Sequence, residues 1–124
     1  MAASKPEDAH RLFAEAFNAG DLEALVALYA PDARLVPQPG QVVMGHAAIR
    51  EALQGFLALQ GQLTVETTYV VQAGDIALLR AQWHLTGTGP DGQPLAMGGK
   101  TTEVVRQQSD GRWLYIIDHP YGAD

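Results

Sequence analysis

Asp118, in the run Ile116-Ile117-Asp118-His119-Pro120-Tyr121, is the residue of this chain best suited to proton chemistry. It falls near the end of the last strand-like run, where alternation gives it the same side as Leu114 and Ile116. If that side faces the interior, loss of hydration raises its pKa and makes Asp118 an acid or base; the competing reading is a hydrogen-bonded structural aspartate. His119 titrates near neutral pH and could carry a proton, but alternation puts it opposite Asp118 unless Pro120 bends the chain; otherwise it is a surface or dimer-contact residue. Trp83 and His84 are adjacent on another strand, so only one can point inward. Trp83 has the parity of Ala77, Leu79, Ala81 and Leu85 and is the inward one, either as core filler or as a pocket wall presenting a flat face and an indole N–H. Lys100 and Glu103 occupy opposite faces of a further strand, and Val104 and Val105 do not decide between them. An inward Lys100 would bind an anionic group; an outward one is a solvated charge.

Other chemistries are excluded or unsupported. The chain has no cysteine, which removes disulfides, thiolate metal sites and a cysteine nucleophile. His10, His46, His84 and His119 are far apart and form no helical ligand pair, so no metal site is expected. Gly98-Gly99 lies inside a strand and Gly87 and Gly89 in a hairpin loop, so no glycine-rich phosphate loop opens a helix, and no cofactor is expected. A net charge of −6 with scattered Lys and Arg argues against nucleic acid as a partner. The N-terminus lacks the basic-then-apolar pattern of a signal peptide and no apolar run is long enough to cross a bilayer, so no membrane association and a cytoplasmic location are expected.

The elements that position these residues can be read from local patterns. Ser4 and Glu7 form a capping-box pattern with Pro6 in an early helical position, predicting a helix over 5–19 whose stripe is Leu12, Phe13, Ala16 and Phe17. Asn18-Ala19-Gly20 ends it, Asp21 caps a second helix containing Leu22, Leu25, Val26, Leu28 and Tyr29, and Pro31 ends that one before an extended run from Arg34. Arg34–Pro37 and Gln41–Met44 read as a small hairpin around Gln38-Pro39-Gly40. Ile49, Leu53, Phe56 and Leu57 recur at helical spacing, with Gly61 as the stop. Four long strands follow: 63–73, 76–86, 95–107 and 113–119. They are separated by Gly74-Asp75, a breaker-rich loop over 87–94 and Ser109-Asp110-Gly111-Arg112. Gly98-Gly99 marks a bulge or bend. Helices first and a meander of strands last make the class α+β, in one domain spanning 1–124. A helix-covered curved antiparallel sheet leaves one end hard to fill, which predicts a pocket. Val70, Leu78 and Tyr115, if they face outward, favour a homodimer through the sheet.

The chain resembles the nuclear transport factor 2-like superfamily, in its bacterial SnoaL-like and ketosteroid-isomerase-like branch. The resemblance covers nearly the whole length. It is carried by Phe17-Asn18-Ala19-Gly20-Asp21, Leu25 to Ala33 with its Tyr29-Ala30-Pro31-Asp32-Ala33 ending, Gly45 with Ile49, Gly74-Asp75-Ile76-Ala77, and Asp110-Gly111-Arg112-Trp113. It implies a cone-shaped α+β barrel with three N-terminal helices on a curved antiparallel sheet. The pocket walls are then expected from Phe13, Phe17, Tyr29, Leu35, Met44, Leu53, Phe56, Trp83 and Ile116, enclosing a small apolar or polycyclic ligand, with Asp118 as the polar group. The resemblance also limits the chemistry. Steroid isomerases of this fold place a carboxylate base shortly after the second helix, and this chain has Val36-Pro37-Gln38-Pro39 there. Their helix-one tyrosine corresponds to Phe13 or Phe17, neither of which can donate a hydrogen bond. What remains is a binder or cofactor-free isomerase, cyclase or hydratase built on Asp118, or else a non-catalytic dimerisation or adaptor domain.

Overall fold

The computed structural model describes residues 2–89 and 91–123. Pro90, one of the breakers in the loop expected over 87–94, lies outside them, as does Met1 of the N-terminus. A 3-10 turn, Pro6–Asp8, leads into α1 (Ala9–Asn18), followed by α2 (Leu22–Val26), β1 (Tyr29–Gln38), β2 (Gln41–Met44) and α3 (Gly45–Leu57). The chain then runs through β3 (Gln62–Ala73), β4 (Ile76–Thr88), β5 (Pro94–Lys100), β6 (Thr102–Gln107) and β7 (Trp113–His119).

Asp21 acts as its type and position require: its carboxylate accepts from the Ala24 N–H at 3.0 Å and caps α2. Asn18 ends α1 by reaching across to β3, donating to the Leu63 carbonyl (2.9 Å) and accepting from the Leu63 N–H (2.8 Å). Three local expectations are corrected. No side chain caps the first turn, which is 3-10, so the Ser4–Glu7 pattern is not used as a cap. The second helix ends at Val26, and Pro31 lies within β1, in the stretch between Tyr29 and Arg34 where the register against β7 shifts and a missing N–H is tolerated. After α3 the left-handed residue is Gln60 (φ 51°), not Gly61. Gly61 is needed for space instead: a Cβ there would stand 2.5 Å from the Thr86 carbonyl oxygen.

The strands form one curved, unclosed sheet in the order β2-β1-β7-β6-β4-β3, with β5 also beside β4. All pairings are antiparallel except β1 with β7, which is parallel. The strand expected over 95–107 is two strands, so five rather than four follow the helices. β4 is long enough to pair with β6 through Ile76–Leu79 and with β5 through Gln82–Thr88. Thr101 sits at the break. Its N–H donates to the Ala81 carbonyl and its hydroxyl accepts from the Ala81 N–H, both at 2.8 Å, so a side chain replaces one rung of the ladder. Gly98 and Gly99 stay in register opposite His84 and Trp83. Gly99 makes room for the Trp83 indole, which a Cβ would meet at 3.0 Å. α1 packs on β3, α3 on β1, and α2 on α3, leaving a core of Leu12, Phe17, Leu25, Ile49, Leu79 and Val105 between helices and sheet.

Candidate functional site

A β-bulge decides which residues of β7 look into the cone. The β6–β7 ladder passes from Val105↔Tyr115 to Val104↔Ile117 and skips Ile116. One extra residue reverses the parity of the strand. Tyr115 before the bulge and Asp118 after it are therefore both buried, at 2% and 6% exposure, whereas Ile117 is 44% exposed. The expected partnership of Asp118 with Leu114 and Ile116 is corrected accordingly: Ile116 is half-buried and lies outside the cavity wall. Tyr115, a candidate for the outer face, points inward.

Across the ladder Asp118 stands opposite Glu103 of β6, also buried. Thr101 donates its hydroxyl proton to Glu103 Oε1 at 2.7 Å, and His10 of α1 donates from Nε2 to the same oxygen at 2.8 Å. The other ring nitrogen of His10 is 2.7 Å from Thr67 Oγ1 on β3. Tyr29, at the start of β1, donates to Asp118 Oδ2 at 2.5 Å, and His46 Nε2 donates to the Tyr29 carbonyl at 2.8 Å. No protein donor among the described residues reaches Asp118 Oδ1. Sequence reasoning missed His10 and Glu103. His10 carried a signal: it sits three and seven residues before Phe13 and Phe17, on the same inward stripe of α1. Glu103 carried none, because only its pairing with β7 determines what it faces. Lys100 is outward.

These groups border a cavity of about 70 Å³. Phe13, Phe17, Leu35, Leu53, Phe56 and Trp83 line it together with His10, Glu103, Tyr115 and Asp118. Two further expected wall residues do not. Met44 is 58% exposed because it is the residue preceding α3 on the edge strand β2, and Tyr29 lies behind Asp118, acting on the cavity through it. The Trp83 indole N–H is already committed, donating to the Pro120 carbonyl at 2.7 Å, so Trp83 offers a ligand its surface and no donor. A second, shallower groove between α3 and the β1–β2 hairpin shares Phe56 with this cavity.

Burial, and then the charge of Glu103 across the ladder, push the Asp118 carboxyl up to about 7, against the Tyr29 hydrogen bond and His10, which both favour the carboxylate. Burial likewise raises the phenols of Tyr29 and Tyr115 well above their usual range, with the nearby carboxylates adding to it. Both tyrosines therefore keep their protons, and Tyr29 donates its own to Asp118. Asp118 near neutral pH is present as acid and as base in comparable amounts, the condition under which a carboxyl transfers protons in both directions. No cluster of three or more His, Cys, Asp or Glu suited to a metal ion occurs among the described residues. No helix among them is long and apolar enough to cross a membrane.

Residues 9–116 match the family model described as the SnoaL-like domain. No curated protein matches the chain. Among solved structures, one from Xanthomonas campestris, provisionally named a calcium/calmodulin dependent protein kinase II association domain, is 22% identical with a TM-score of 0.80, over 98% of this chain and 93% of its own. A ketosteroid isomerase-like protein from Erwinia carotovora atroseptica is 22% identical with a TM-score of 0.75, over 95% and 93%. An NTF2-like family protein from Streptomyces avermitilis, provisionally named a dehydratase, is 23% identical with a TM-score of 0.71, over 90% and 88%. At these identities the likeness is one of fold.

Proposed function

Because the chain belongs to the SnoaL-like family, we propose that its cone binds a small, largely apolar molecule and carries out cofactor-free proton transfer on it, as an isomerase, cyclase or hydratase, with Asp118 as acid and base. The observation that carries this reading is a buried carboxyl in the wall of an otherwise apolar cavity, held by Tyr29 through one oxygen and open on the other. A site intended only as core would fill that space and neutralise the carboxyl with a second donor. The isomerase-like and dehydratase names of structural neighbours accord with it. The cavity of about 70 Å³ has room for about two waters at the ~30 Å³ each takes in the liquid. That size supports a short-chain or monocyclic occupant over the polycyclic one.

The reading is tested by titrating a library of small uncharged molecules into protein carrying 13C-labelled aspartate and tyrosine. Ligands of the cone are expected to shift the Asp118 and Tyr115 resonances together and to raise the melting temperature in proportion to the logarithm of their concentration. A library that moves neither resonance would remove small-molecule binding from consideration.

One observation favours a second role beside the first. Val71, Leu78, Val104 and Ile117 are cross-strand partners in sequence, forming an apolar row over four strands on the side of the sheet away from the cone. Val71 and Ile117 are 47% and 44% exposed, and Tyr69 and Ile76 extend the same surface. We propose that a second copy of this chain covers the row, in keeping with the association-domain name of one neighbour. Sedimentation equilibrium is expected to give twice the chain mass, reduced to one chain mass by Val71→Lys with Ile117→Lys; a monomeric wild-type protein at 100 times a micromolar Kd would rule the homodimer out.

A further inference from the structure

The Tyr115 hydroxyl has no hydrogen-bond partner among the described residues. Tyr115 is 2% exposed and lines the cavity, and its ring is fixed edge-on to Phe13 (6.4 Å between centroids) and tilted against Tyr29 (5.3 Å). Among the described residues, Arg50 Nε is the one fully enclosed side-chain nitrogen or oxygen without a partner, so the Tyr115 hydroxyl is not sealed in protein but borders the open space of the cone. A buried hydroxyl left without an acceptor is costly, and native structures pair such groups with water or ligand. The neighbouring Tyr29 shows the contrast: the same group in the same layer is spent on Asp118.

The surroundings restrict what can accept that bond. Glu103 and Asp118 both act on the Tyr115 hydroxyl, and Glu103 already draws its hydrogen bonds from His10 and Thr101. An anionic ligand would be placed beside two carboxyl groups in a poorly hydrated space whose wall, among the described residues, contains no Lys or Arg and whose His10 Nε2 is committed to Glu103. The rest of the wall is aromatic or aliphatic: Phe13, Phe17, Leu53, Phe56 and Trp83.

We infer that Tyr115 is the anchoring residue of the cavity and that the ligand class is small uncharged molecules with one hydrogen-bond-accepting oxygen, such as a ketone, aldehyde, ether or epoxide, on an apolar body. The inference rests on the proposed small-molecule role and specifies it. With the oxygen held by Tyr115, the apolar body lies against the phenylalanines and Asp118 Oδ1 is left facing the atoms next to that oxygen. Tyr115 orients the ligand, and Asp118 is the group that exchanges a proton with it.

The test compares three probes of similar shape: cyclopentanone, methylenecyclopentane, in which a CH2 replaces the oxygen, and cyclopentanecarboxylate. Binding is followed by chemical-shift titration of the wild-type protein and of Tyr115→Phe, a variant expected to fold normally because it removes only an unpaired hydroxyl. The wild-type protein is expected to bind the ketone about fivefold more tightly than the alkene, the worth of one neutral hydrogen bond. Tyr115→Phe is expected to abolish that preference while binding the alkene as before, and neither protein should prefer the carboxylate. A ketone preference that survives in Tyr115→Phe overturns the assignment of the anchor. Preferential binding of the carboxylate overturns the uncharged ligand class. Alkene and ketone bound equally by the wild-type protein overturn the inference while leaving the apolar cavity as a binding site, and no binding of any probe overturns both.

Discussion

Glu103→Ala is expected to lower the unfolding free energy by about 1–3 kcal/mol, the cost of leaving buried hydrogen-bond donors without their acceptor. Glu103 is 4% exposed and its Oε1 receives both the His10 Nε2–H and the Thr101 hydroxyl. His10, itself 4% exposed, would be left facing a hole on one side, and Thr101, which also holds the break between β5 and β6 together, would lose the acceptor that orients its hydroxyl. Urea unfolding at neutral pH should show a lower midpoint with an unchanged slope. Glu103→Gln keeps an acceptor for both donors and should cost less than half as much. The double variant His10→Leu, Glu103→Leu should lose less than the sum of its single changes, because it removes the pair without stranding either partner. A loss under about 1 kcal/mol for Glu103→Ala would show that the pair does not hold α1 to the sheet.

Asp118→Asn is expected to reduce turnover by about 10²–10⁴-fold on any substrate of the cone, the usual worth of a positioned acid–base group, with little change in binding. Its carboxamide still accepts from Tyr29, so the geometry is preserved and only the transferable proton is lost. Unchanged turnover would rule out the assigned role. The same variant carries a stability signature. Unfolded, the carboxyl titrates near 3.9; folded, it titrates at about 7. Between these values the native state retains a proton that the unfolded state has released, so this group's contribution to stability is complete below about pH 4, falls as pH rises to about 7 and is constant beyond. Three units correspond to a loss on the order of 4 kcal/mol. Asp118→Asn should therefore be the more stable protein above pH 7 by an amount of that order, the difference closing toward pH 4, as expected where a site is tuned for chemistry at the expense of stability. Tyr29→Phe, which removes the bond favouring the carboxylate, should move the Asp118 midpoint above 7. A difference between Asp118→Asn and wild type that does not vary with pH would contradict a raised folded-state pKa.

Much of the fold was legible because it is governed by local chemistry. The Asp21 cap, the hairpin at Gln38–Gln41, the Gly74-Asp75 turn and the inward parity of Trp83 each depend on residues within a few positions of one another. Local patterns misled where a distant partner determined the outcome. Pro31 joined a strand because β7 supplied an irregular neighbour, and the run over 95–107 broke at Thr101 because β4 is shared between two strands. For the candidate site, the burial of Asp118 was legible from its position late in an apolar strand, but its companions were expected on the wrong parity.

The sequence by itself determined the class, the placing of the helices ahead of the long strands, the lack of cysteine and the lack of a carboxylate at Val36-Pro37-Gln38-Pro39. These follow from residue types and short-range periodicity. Only the tertiary structure decided that Asp118 faces Glu103, that His10 reaches Glu103 from 93 positions away, and that Tyr115 enters the cone with its hydroxyl unspent among the described residues. The physical reason is the bulge at Ile116: strand alternation has a period of two, so one skipped residue reverses every side chain beyond it, and the skip is set by pairing with β6 rather than by the residues of β7.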